Sequence, residues 1–185
     1  MRLILLGAPG SGKGTQGDAL AARFGVRHVS TGELLRRHIA EQTELGRAAQ
    51  GYVQSGELVP DDIVLQMAGT EVIEAAAEGG YVLDGFPRTL AQAERAYELA
   101  VPAGVTADTV VYLAVPDDVA RERLLARDDG RVDDSDPTVI DRRLRVFHEE
   151  TEPLLDFYRE RGILVTIDAV PAPERVTDAM LAALA

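Results

Sequence analysis

The sequence has 185 residues, 46% of them hydrophobic, which suits one compact domain with a real core and argues against disorder. It contains no cysteine, so disulfides and thiolate metal sites are excluded, and its three histidines (His28, His38, His148) lack the close pairing of a zinc site. A net charge of −12 opposes long-range attraction to nucleic acid or anionic lipid, the opening apolar run stops at Gly7, too short for a signal peptide, and no stretch approaches membrane-spanning length, so a cytoplasmic protein is expected.

Residues 2–6 read as a buried strand and 12–24 as a helix, with Leu20 and Phe24 four apart. Residues 26–30 read as a second strand, and 31–55 as two short helices broken near 43–46. Pro60, followed by Asp61 and Asp62, opens a helix that runs to about Glu78 and ends at Gly79-Gly80. Residues 81–83 form a strand and 89–99 a helix. Residues 109–115 are almost wholly apolar, as a strand covered on both faces must be. A helix over 116–127 precedes an acidic, glycine-containing stretch, 128–137. One long helix to about Arg161 is expected next, because Ile140, Leu144, Phe147, Thr151, Leu154 and Tyr158 recur at spacings of 4, 3, 4, 3 and 4. Residues 163–167 give a last strand and 174–184 a last helix. Strands alternating with helices imply an α/β fold, with a parallel sheet covered on both sides. No repeat or long linker divides the chain.

After the first strand stands Gly7-Ala8-Pro9-Gly10-Ser11-Gly12-Lys13-Gly14-Thr15. Glycines let the backbone wrap an anion with several N–H groups pointing inward, and the helix that follows aims its positive dipole end at the same place. A Gly-rich turn alone is commonly structural. Between a strand and a helix, with Lys at this spacing, it binds phosphate, and Lys13 would reach the β- and γ-phosphates. Of 19 basic residues, 18 are Arg and Lys13 is the single Lys. Coding bias accounts for that, and so does a need for a compact ammonium that a planar guanidinium cannot replace. The general pattern places Ser or Thr directly after the Lys as a magnesium ligand. Here Gly14 holds that place and the hydroxyl comes one later, at Thr15.

The Gly-Lys-Gly-Thr ending resembles the adenylate kinase branch of the nucleoside monophosphate kinases, and the likeness extends over nearly the whole chain. Ser30-Thr31-Gly32-Glu33-Leu34-Leu35-Arg36 is similar to the family's entry to the monophosphate-binding segment, which assigns Thr31 and Arg36 to the AMP base and phosphate. Glu57-Leu58-Val59-Pro60 resembles the stretch that closes over adenine. Asp84-Gly85-Phe86-Pro87-Arg88-Thr89, with Gln92 three on, is the most specific match. There Arg88 grips the AMP phosphate, Gln92 reads adenine, and Asp84 organises Mg²⁺ through water; by itself Asp84 would be a turn or cap residue. Related pyrimidine monophosphate kinases tend to carry Asn where Thr89 and Gln92 stand, so these two favour AMP.

The resemblance further implies ATP contacts at Gly10, Ser11, Gly12, Lys13, Gly14, Thr15 and Pro171. It puts Arg123 against the ATP adenine and Arg127 on the phosphates. Arg131-Val132-Asp133-Asp134 is similar to the return from the family's lid, with Arg131 reaching the transferred phosphate. Arg123 and Arg127 are four apart on one helix and share a face. A final catalytic arginine precedes a Leu. Counting from Asp134 selects Arg142, and counting back from Leu144 selects Arg143. At about 100° per residue Arg142 projects away from the apolar stripe and Arg143 flanks it, so Arg143 is favoured and Arg142 is second. The catalytic set is then Lys13, Arg88, Arg127, Arg131 and Arg143.

What the resemblance implies as a whole is a P-loop three-layer sandwich with a five-stranded parallel sheet. A helical AMP-binding insert would occupy residues 30–59 and a very short lid residues 126–136, without the zinc site of longer relatives. The reaction would be Mg²⁺-dependent ATP + AMP = 2 ADP, by a monomer that keeps adenine nucleotides in balance. Phosphoryl transfer needs positioning and charge neutralisation more than a general base, and arginine forks suit it. A kinase for UMP/CMP or GMP is the alternative within the class, and a nucleotide-binding regulator without chemistry the alternative outside it. The presence of Arg36, Arg88, Arg127 and Arg131 speaks against the regulator.

Overall fold

The layering follows from how each strand divides its side chains. The computed structural model describes residues 1–126 and 136–185. In β1 (Arg2–Leu6), Ile4 and Leu6 pack to one side and Leu3 and Leu5 to the other, and all four are buried. In β3 (Tyr81–Asp84) and β4 (Thr109–Ala114) the division repeats. Tyr81, Leu83 and Val110 join Ile4, while Val82, Val111 and Leu113 join Leu3. Successive strand residues point to opposite faces, so apolar residues throughout demand cover on both. β2 (Arg27–Ser30) and β5 (Leu164–Asp168) complete a five-stranded sheet in the order β2-β3-β1-β4-β5, every neighbouring pair parallel. The expected α/β sandwich is the observed fold.

Helices α1 (Lys13–Phe24) and α9 (Pro173–Ala183) cover one face with Leu20, Val176 and Met180. Gln16 couples them: its amide donates to the Pro173 carbonyl (2.9 Å) and accepts from the Thr177 hydroxyl (2.7 Å). The other face is covered by α2 (Thr31–Ala40), α3 (Glu44–Ser55), α4 (Asp61–Ala77), α5 (Leu90–Ala103) and α8 (Leu154–Glu160). Leu34, Ala49, Met67, Ala93 and Leu154 are among the contacts. A third cluster joins Ala8 of the Gly-rich loop to Ala120 and Leu124 of α6 (Asp117–Leu125) and to Ile140 and Leu144 of α7 (Pro137–Val146). Burying each large apolar side chain is worth about 1.5–3 kcal/mol, so this cluster fixes where the loop sits.

Two expectations are corrected. Helix α5 continues past Leu99 to Ala103 and carries Pro102 within its last turn. The long helix to Arg161 is not continuous: α7 ends at Val146, Phe147–Thr151 form one π turn, and α8 begins at Leu154. Pro153 is the reason. It has no N–H for the Glu149 carbonyl, and its ring crowds that oxygen. The chain widens instead, with the Glu152 N–H reaching the Phe147 carbonyl five residues back (2.8 Å). The whole stripe Ile140, Leu144, Phe147, Thr151, Leu154, Tyr158 is nevertheless buried. Among the described residues no helix is long and apolar enough to cross a membrane.

Candidate active site

In open parallel sheets, ligands bind beyond the carboxyl ends of the strands, where connections leave in opposite directions. Here β1 leads toward β2 and β3 on one side, while β4 and β5 lie on the other. Leu5 and Ser30 both pair with Asp84, so three strands end together. A cleft of about 390 Å³ opens above them. The Gly-rich loop forms one wall, and residues from 30–36, 53–59 and 84–88 form the opposite one. Arg143 of α7 and Thr151 of the π turn close the end.

Two glycines of the loop have different reasons to be glycine. Gly10 has φ +83°, and a Cβ there would lie 2.4 Å from the Ala120 carbonyl oxygen of α6. Gly12 has φ +95°, yet a Cβ there would meet nothing within 4 Å. Gly10 thus seats the loop on α6, and Gly12 faces the opening. Helix α1 starts with no side-chain cap and no acidic residue in its first turn. Its leading N–H groups and positive dipole end therefore suit an anion. The Lys13 ammonium donates to the carbonyls of Gly7 (2.8 Å) and Ala8 (3.0 Å), which folds it over the loop. Lys13, Gly14 and Thr15 all line the cleft, whereas Ser11 is buried behind it with its hydroxyl lacking a partner among the described residues.

The opposite wall is tied from several sides. The Thr31 hydroxyl donates to the Asp84 carbonyl (3.1 Å), fastening the start of α2 to the end of β3. Arg88 donates from Nε to the Gly85 carbonyl (2.7 Å) and from its backbone N–H to Gln92 Oε1 (2.7 Å). The Thr151 hydroxyl donates to the Arg88 carbonyl (2.7 Å). Gln92 is 2% exposed, and its Nε2 donates to Asp61 Oδ1 (2.6 Å). Gln92 also lines a small recess beside the cleft, with Thr31, Leu58, Val59, Gly85 and Arg88. Arg36, Glu57 and Pro87 line the main cleft. Phe86 lines neither cavity, and its ring is buried in the core, where it anchors this segment.

Among the described residues four cations line the cleft: Lys13, Arg36, Arg88 and Arg143, each partly buried. The acids there are Asp18, Glu33, Glu57 and Asp84, and the first three are exposed. Charges held away from bulk water act more strongly than solvated ones, so the interior of the cleft favours anions. Asp84 is the exception, 8% exposed with Oδ1 lacking a hydrogen-bond partner among the described residues. A buried carboxylate oxygen without a donor fits a hydrated divalent cation beside the loop. Among the described residues no cluster of three His, Cys, Asp or Glu could hold a metal.

Arg143 and Arg142 are separated clearly. Arg143 lines the cleft, its Cγ 2.9 Å from where a Cβ on Gly56 would be. Arg142 is exposed on the rim, donating to the Ser55 carbonyl (3.1 Å) and lying 3.7 Å from Glu57. Arg123 bonds the Ala169 and Val170 carbonyls (2.9 Å each), which pins the chain beside Pro171, away from the main cleft. Arg127 and Arg131, and most of the 126–136 segment, lie outside the described residues. Thr151 lines the cleft and Asp61 bonds Gln92 from outside it, yet both read differently in sequence. Asp61 is an acid at a helix start, and Thr151 is one hydroxyl in an apolar stripe, which is the only signal it gives. His148 bridges Glu152 (2.8 Å) and Asp117 (2.9 Å), tying the π turn to α6. The hydrogen bond to Glu152, then that to Asp117, raises its pKa above 6.5.

Comparison with known proteins agrees with this geometry. The family model described as adenylate kinase matches residues 5–163. A curated adenylate kinase of Nocardia farcinica is 47% identical over 184 residues, covering 100% of this chain and 99% of its own. That of Thermobifida fusca is 45% identical over 186 residues, covering 100% and 98%. Adenylate kinase 1 of Synechocystis is 49% identical over 166 residues, covering 90% and 87%. The first two match end to end, so this chain's short length is shared by them. With a Gly-rich loop facing an arginine-bearing wall across the cleft and likeness over its full length, the chain belongs to the adenylate kinase family.

Proposed function

We propose that the chain transfers the terminal phosphoryl group of ATP to AMP, giving two ADP, with the loop as donor site and the Asp84–Gln92 wall as acceptor site. One observation carries this assignment of sides: the loop and the Arg88 segment face each other across a single cleft. ATP phosphates lie on the backbone of residues 10–15, with Lys13 moving from the loop carbonyls to phosphate oxygens. Arg123 and Pro171 flank the ATP adenine. The 30–59 insert holds AMP, with Arg36 and Arg88 on its phosphate, Glu57, Leu58 and Val59 along the base, and Thr31 and Gln92 at its edge. Arg143 reaches the phosphate from α7, and the 126–136 segment supplies Arg127 and Arg131 as a short lid.

Little covalent chemistry falls to the protein. Transfer is favoured by in-line placement and by positive charge on the equatorial oxygens. Asp84 and Thr15 are the residues suited to the hydrated Mg²⁺ that travels with ATP, and that ion neutralises phosphate oxygens. The protein works as a zinc-free cytoplasmic monomer on ATP, AMP and ADP. Purified protein given Mg-ATP and a panel of nucleoside monophosphates should turn over AMP fastest, and a preference for UMP or GMP would overturn the acceptor assignment.

A further inference from the structure

We propose that Asp61 is a specificity-determining positioning residue: it locks the Gln92 amide in the one orientation that reads an adenine edge. The proposal rests on the reading of Gln92 as the adenine contact. Two partners of opposite character hold this amide. The Arg88 backbone N–H can only donate, so it takes Oε1 at 2.7 Å. A carboxylate oxygen of Asp61 can only accept, so it takes Nε2 at 2.6 Å. A flipped amide would set N–H against N–H and oxygen against carboxylate, and with Gln92 at 2% exposure no water shell would relieve either clash.

The lock leaves the amide with one hydrogen on Nε2 and one lone pair on Oε1, neither with a further partner among the described residues. Gln92, which carries that donor–acceptor pair, lines the recess next to Thr31, Val59 and Gly85. Adenine offers the complementary pair, an exocyclic amino donor beside a ring-nitrogen acceptor. Hypoxanthine offers the reverse, a carbonyl acceptor beside a ring N–H donor, and would need the flipped amide. Asp61 thus carries purine discrimination from the first turn of α4 without touching the ligand.

The test is steady-state kinetics of the intact protein with Mg-ATP and either AMP or IMP, for wild type, D61A and D61N. Asn keeps an acceptor of the same reach but not the charge at the start of α4. D61A should raise KM for AMP and lower the AMP-over-IMP ratio of kcat/KM by about tenfold, with KM for ATP unchanged. D61N should stay within about threefold of wild type in that ratio. An unchanged ratio in folded D61A overturns the proposal. So does a parallel rise of both KM values, or a D61N defect as large as that of D61A, because either would trace the effect to the helix start. If D61A does not fold, D61S, whose hydroxyl is too short to reach the amide, carries the same expectation. A wild type that does not prefer AMP to IMP would instead remove the reading of Gln92 itself, and the proposal with it.

Discussion

Alanine at Gly10 and at Gly12 should separate the two tasks of the phosphate loop. Both residues are left-handed, with φ +83° and +95°. A Cβ in that region costs about 1–2 kcal/mol. At Gly10 the added carbon also lands 2.4 Å from the Ala120 carbonyl oxygen and 3.1 Å from Leu124 Cγ. The first obstacle is helix backbone and cannot rotate away, so overpacking adds about 1–3 kcal/mol. Gly10→Ala should therefore cost roughly 2–5 kcal/mol, or roughly 4–20 °C in Tm for a chain of this length. At Gly12 nothing lies within 4 Å, so only the backbone term applies. Gly12→Ala should cost about 1–2 kcal/mol and roughly 2–8 °C. Its methyl would instead project over the start of α1, where phosphate oxygens must come within hydrogen-bond reach. A displacement of that kind should lower kcat/KM for ATP by about 100-fold. Thermal unfolding without nucleotide, together with initial rates, checks both variants. Wild-type kcat/KM in Gly12→Ala would refute the loop as the phosphate cradle. A lower Tm for Gly12→Ala than for Gly10→Ala would refute the packing argument.

Lys13→Met should lower kcat by about 10²–10³ with the fold retained by circular dichroism, since it removes one preorganised charge from the transferring group; near-normal turnover would mean that the ammonium does not act on phosphate. Arg143→Ala should reduce kcat/KM by about 100-fold, while Arg142→Ala, which removes only a rim contact, should stay within a few-fold. The reverse ranking would move the catalytic assignment to Arg142.

How much of this was readable from the sequence depends on how local each signal is. The strand stretches and the loop frame are contiguous, and alternation with helices leaves few topologies for a parallel sheet. The Ile140–Tyr158 stripe predicted burial correctly at every position, because burial depends on angular position around the axis. It could not predict the π turn, because that follows from Pro153 and its fit to carbonyls before it. The preference for Arg143 over Arg142 came from the same angular argument, and the structure places Arg143 in the cleft and Arg142 on its rim. Asp61 and Thr151 stayed hidden because each acts on a partner far along the chain. Asp61 reaches 31 residues to Gln92, and Thr151 reaches 63 to the Arg88 carbonyl. Single-residue patterns do not encode such pairings. Phe86 combines both kinds of signal, a contiguous motif position whose ring is buried in the core.

The charge distribution explains how so acidic a chain can hold two anionic nucleotides. Its net charge of −12 sets the far field, which repels extended polyanions. Beyond a Debye length of about 8 Å in physiological salt that field is largely screened. Inside the cleft the near field decides, and there the burial pattern matters more than the count. Among the described residues four cations and four acids line it, but the cations are partly buried while three of the acids are solvated. Partly buried cationic heads need acceptors, and the fold supplies carbonyls among them: Gly7 and Ala8 for Lys13, Gly85 for Arg88. Those neutral acceptors hold each cation in place yet yield to a phosphate, because a charge-assisted bond is roughly twice as strong as a neutral one. A compact ammonium on a flexible stem can make that exchange by rotating a few bonds, which a bidentate guanidinium fork cannot do as readily. On the proposed reading of the loop, the single lysine of the chain stands where such a switch of partners takes place.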